Sequence, residues 1–169
     1  QRVGNYPGVT VEKKERRCRI EGLDFRLIDL PGTYSLAAHS PDELLAVDVL
    51  LGNQEGEPRP DLVLQIVDAS NLERNLYLFT QVVETGVPVV MALNMMDIAR
   101  SRGIRMNLCF LSERLGVPVI PVEGHRGIGL AELRGALARA ARQGPLGSGA
   151  KPAGGRDGSL IPLSFLGKP

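Results

Sequence analysis

Leu62-Val63-Leu64-Gln65-Ile66-Val67, residues 62–67, holds one polar side chain in six. A strand wet on one face alternates apolar and polar residues, so a run this continuous reads as a strand covered on both faces, as in a parallel sheet. The residues after it agree. Ser70-Asn71-Leu72-Glu73 has the form of a capping box, and Leu72, Leu76, Phe79, Val82 and Val83 make one helical stripe before Gly86. Two more apolar runs follow, Val89-Val90-Met91-Ala92-Leu93 and Val117-Pro118-Val119-Ile120. Strand, helix and strand in turn predict an α/β fold on a mostly parallel sheet.

Upstream, Thr10 to Ile20 is long and charged on both faces, which suits an exposed edge. Glu21-Gly22-Leu23-Asp24 reads as a hairpin turn into Phe25–Leu30. Ser40-Pro41-Asp42-Glu43 caps a helix that runs to about Leu51 and is closed by Gly52. Further helices are expected over about Leu108–Leu115, closed by Gly116, and Leu130–Arg142. The predicted order is β-β-α-β-α-β-α-β-α over residues 1–143. Residues 144–169 contain seven Gly and four Pro, 11 of 26, against 21 of 143 before them. That composition predicts a disordered tail, with Leu160–Leu166 as its one apolar patch.

Composition excludes more than it selects. Net charge is +1, and Trp-free, 4% aromatic sequence offers no stacking platform, so nucleic acid is not an expected partner. Cys18 and Cys109 are too few and too scattered for a disulfide framework or a zinc site. The longest apolar run, 87–93, is far short of the roughly 20 residues that span a bilayer. The chain opens on Gln1 with no signal-peptide pattern, and is expected to be a piece of a larger gene product.

Three segments fall where a doubly wound sheet places its ligand, at the carboxyl ends of strands. Asp29-Leu30-Pro31-Gly32 is a D-x-x-G sequence, a form shared with ordinary turns. In Asn94-Met95-Met96-Asp97 a carboxylate could accept two N–H bonds from a guanine edge while the amide braces the loop; Asn and Asp also cap helices. Glu123-Gly124-His125 lies in a glycine-bearing loop whose backbone could reach a base carbonyl, and such loops are common after strands. The three together, each after a β run and in this order, are the arrangement of a guanine nucleotide-binding domain. His39 and His125 read as surface residues, and the Lys13–Arg17 charge run as a wet strand face.

Gly4–Glu12, Asp29–Leu36, Asp68–Leu78 and Ala92–Asp97 resemble the ferrous iron transport protein B family, and the likeness covers about residues 1–143. The resemblance implies a P-loop GTPase-like three-layer fold with an antiparallel edge strand. It implies a GTP-hydrolysing domain, working with Mg²⁺ and GTP or GDP, on the cytoplasmic face of a bacterial inner membrane. The expected partner is the membrane-embedded remainder of a Fe²⁺ transporter, and a homo-oligomer is compatible with it. By the same likeness Thr10 would ligate Mg²⁺ and touch the γ-phosphate, Asp29 would hold Mg²⁺ through a water, and the Gly32 N–H would bond the γ-phosphate. Asn94 and Asp97 would read guanine, with Glu123 and Gly124 beside it. Switch segments would include Gly8, Val9, Thr10, Leu30, Pro31 and Thr33.

Two departures stand out. No G-x-x-x-x-G-K-[ST] occurs in the chain. In the family that loop, with the sheet's first strand, lies upstream of the residue matching Gln1, and that strand sits between Phe25–Leu30 and Leu62–Val67. The chain as given is therefore expected to bind GTP weakly and to be inactive. Glu123-Gly124-His125 also replaces a small serine- or threonine-bearing sequence, and position 33 is Thr rather than a water-orienting Gln, so no general base is assigned. The competing readings are a nucleotide-free interaction module or decayed gene product, and a soluble GTPase of the assembly-factor sort.

Overall fold

The computed structural model describes residues 2–6, 12–33, 35–37, 40–144 and 159–165, with 2–5, 12–13 and 159–165 as backbone alone. In chain order the elements are β1 (Arg2–Asn5), β2 (Glu12–Ile20), β3 (Leu23–Leu30), α1 (Pro41–Leu51), β4 (Val63–Asp68) and α2 (Leu72–Glu84). They continue with β5 (Val89–Asn94), α3 (Met96–Ser101), α4 (Leu108–Leu115), β6 (Val119–Pro121), α5 (Leu130–Gln143) and β7 (Ser159–Phe165).

These strands form one sheet in the order β1-β2-β3-β7-β4-β5-β6. The β1–β2 and β2–β3 pairs are antiparallel, and every pair from β3 onward is parallel. This is the α/β architecture expected, with its antiparallel edge. The β2–β3 hairpin turns on Glu21 and Gly22, both at positive φ, between the paired Ile20 and Leu23. Two such residues give a turn whose twist matches the strands.

Alternation along the buried strands builds two cores, one on each face. Ile28, Leu30, Val63, Val67, Val89, Met91 and Leu93 face α1 and α2. Phe25, Leu64, Val90 and Ala92 face Leu133, Ala136 and Leu137 of α5. The result is the three-layer form, with α5 the helix of the second face among the described residues. Ser40 caps α1 as predicted, its Oγ accepting from the Glu43 N–H at 3.2 Å. Gly52 and Gly116 close α1 and α4 in the left-handed conformation.

Four expectations change. The charged strand expected at the edge is not the edge: β2 begins at Glu12 and lies between β3 and an additional antiparallel strand, β1, whose four residues make too short a run to be read from the sequence, while Gly8, Val9, Thr10 and His39 lie outside the described residues. Ser70 does not cap α2: its N–H bonds Asp68 Oδ1 at 2.7 Å within a 3-10 turn, and α2 starts at Leu72 with no side-chain cap. Val117 and Pro118 precede rather than begin the last of the apolar strands, β6. Finally, residues 159–165 of the tail are a strand, paired with β3 over six residues and with β4 over three. They occupy the central position that the resemblance assigns to a strand preceding residue 1. Composition concealed this because the Gly and Pro lie mostly in 144–158.

Candidate functional site

Parallel strands deliver their last residues to one edge of the sheet, and the register aligns them. Asp68 pairs with Asn94, while Asp29 pairs with Lys14 on one side and Leu163 on the other. The three sequence-predicted segments thus meet at a single edge, at the carboxyl ends of β3 and β5 and just after β6.

Asn94 ends β5. Its Oδ1 accepts the Gly124 N–H at 3.0 Å, so the amide braces the loop after β6. Met95, at φ 60, then turns the chain into α3, and neither Asn94 nor Asp97 caps that helix. Asp97 lies in its first turn. Oδ2 is 3.6 Å from His125 Nε2, whereas Oδ1 is buried and without a hydrogen-bond partner among the described residues. A buried acceptor left bare costs free energy that a donor from a ligand recovers. The geometry fits a group presenting N–H.

The side chain of Glu123 is set by two arginines. Its side chain is only 2% exposed, held by Arg100 Nη1 and Arg126 Nη1 at 2.9 Å each. The carboxylate is thereby committed to the two arginines. Nothing in the linear pattern announces Arg100, because its contact with Glu123 is tertiary, whereas Arg126 is a local partner three residues on. Arg102 likewise reaches Ser70 Oγ at 3.1 Å, tying α3 to the turn after β4.

On the opposite side of the edge, burial pushes the Asp29 carboxyl above its ordinary range, and Lys14 partly offsets this. A half-buried carboxylate with that penalty fits a divalent cation, and one carboxylate is a normal protein share for Mg²⁺ bound with phosphate. Among the described residues there is no group of three or more His, Cys, Asp or Glu that could enclose a metal alone. Gly32 is exposed. Thr33 is 2% exposed, and its Oγ1 donates to the Ser35 carbonyl at 2.6 Å and accepts the Ser35 N–H at 3.2 Å. The Leu36 N–H bonds Gln81 Oε1 at 2.8 Å, so the segment after β3 is anchored to α2.

An open, mostly parallel sheet that gathers Asn94, Asp97 and glycine-bearing loops at its carboxyl edge has the form in which α/β domains hold nucleotides. Residues 1–137 match the family model for ferrous iron transport protein B. The chain belongs to that family. It is 50% identical over 133 residues to the Fe(2+) transport protein A/Fe(2+) transporter FeoB fusion protein of Porphyromonas gingivalis, covering 79% of this chain and 15% of that one. Among solved structures, the cytosolic domain of L. pneumophila FeoB has TM-score 0.75 and 44% identity, covering 82% of this chain and 57% of that one. The T. maritima FeoB cytosolic domain in its GMPPNP form has TM-score 0.74 and 39% identity, covering 82% and 53%. The chain spans about one seventh of the P. gingivalis relative it matches.

Proposed function

We propose that this chain is the guanine-reading part of a GTP-hydrolysing domain that serves a bacterial ferrous iron transporter from the cytoplasmic face of the inner membrane. The observation that carries it is the Asn94–Gly124 brace beside the bare, buried Asp97 Oδ1. A guanine edge offers two N–H donors to such a carboxylate, and the rejection of adenine follows because adenine would leave it unpaired. The GMPPNP form of the T. maritima relative supports a guanine nucleotide as the ligand.

In this reading Thr10 and Asp29 hold Mg²⁺, the latter through a water, and the Gly32 N–H meets the γ-phosphate. The ion would neutralise phosphate charge. The chain's own residues orient the base and couple the 29–36 segment to α2 through Gln81. Nucleotide state then biases that segment and, through it, the membrane part of the transporter.

The base-reading half can be tested on the chain as it is. Amide shifts of Asn94, Asp97 and Gly124 are expected to move with guanosine at about 1 mM and not with adenosine. Asp97→Asn is expected to abolish that response and favour xanthosine. Equal responses to adenosine and guanosine would remove these residues from a nucleotide site. Because no G-x-x-x-x-G-K-[ST] is present, GTP with Mg²⁺ is expected to bind no more than about tenfold tighter than guanosine; micromolar GTP affinity contradicts this.

A further inference from the structure

β3 and β4 are not paired with each other; β7 lies between them and is the link that joins the antiparallel half of the sheet to the parallel half. Three features of this central strand are unusual. Pro162, opposite Ile28, has no N–H, although in a central strand every N–H faces a neighbour, and proline is confined almost entirely to edges. Pairing with β4 covers three residues against six with β3. Gln65, opposite Ser164 in register, is fully buried and neither of its amide atoms has a hydrogen-bond partner among the described residues. A strand built for this slot would supply both the missing donor and a group for that amide.

We propose that the slot between β3 and β4 is a strand-exchange site, filled reversibly by the chain's own residues 159–165. The occupant is tethered in cis. Residues 145–158 are 14 in number and could reach about 50 Å if extended, enough to return from the end of α5 to the sheet centre. The pairing is parallel strand addition, in which main-chain hydrogen bonds provide the affinity. A parallel strand with a donor at the Pro162 level and a side chain reaching Gln65 would compete for the same place.

Amide hydrogen exchange on the full chain, read by mass spectrometry, decides it. Residues 160–165 are expected to exchange at least about tenfold more slowly than 145–158, yet at least about tenfold faster than 90–93 in β5, the signature of a unit that opens alone. Pro162→Val restores the donor and is expected to slow exchange of 160–165 and 64–66 by about fivefold, leaving 90–93 unchanged. Exchange of wild-type 160–165 at the 145–158 rate overturns the proposal, because the segment then does not fill the slot. Exchange as slow as 90–93, unmoved by Pro162→Val, overturns it equally, because the strand is then permanent. A dimer in size-exclusion chromatography whose 160–165 protection vanishes on dilution assigns the strand to a second copy and overturns the tethered occupant.

Discussion

Two opposed influences meet at the Asp29 carboxyl: burial disfavours its charge and Lys14 favours it, with burial the larger. A carboxyl whose pKa is raised by folding binds its proton more tightly in the folded state, so the ionised form weakens the fold at neutral pH. Asp29→Asn is therefore expected to raise Tm at pH 7 without nucleotide. The advantage should shrink as pH falls through the raised carboxyl range, since the wild-type group is then neutral too. Thermal unfolding from pH 4 to 8 checks this, and a lower Tm for the variant at every pH would contradict it. Asn94 as a brace was legible in the sequence because it depends on a residue type at a strand end. Arg100 on Glu123 and the approach of His125 to Asp97 were not, since they join side chains 23 and 28 positions apart and on different elements.

At the scale of elements, local chemistry decided what could be foreseen. The Glu21-Gly22 hairpin, the Ser40 cap and the apolar strands β4 and β5 each follow from a few adjacent residues. α3 escaped because its entry is a left-handed Met95 with no capping side chain, and the Ser70 box failed because Asp68 takes the N–H that the box needs. The loop from β6 to α5 has a sharper requirement. Gly129 sits at φ 79, and a Cβ there would lie 2.1 Å from the Pro121 carbonyl oxygen. Backbone cannot yield as a flexible side chain does, so Gly129→Ala is expected to cost about 2–4 kcal/mol, read from urea midpoints. A loss below about 0.5 kcal/mol would show that the loop shifts freely.

Across the whole molecule, the fold class was readable from alternating runs, whereas the place of β7 was not, because Pro162 and the preceding glycines argue locally against a central strand. Tethering holds that strand at an effective concentration of order millimolar. A specific protease site set between Ala150 and Lys151 is expected to lower Tm by about 5 °C once cut, as the strand becomes a separable peptide. An unchanged Tm after complete cleavage would mean that the tether contributes nothing to stability.

The centre of the sheet is also where partners lie farthest apart along the chain: Phe25 pairs with Ser159 across 134 positions and Leu64 with Leu163 across 99. Pairings of such range lose loop-closure entropy before any contact repays it, so the middle of the sheet is expected to be the slowest part to form when the unfolded chain is returned to water.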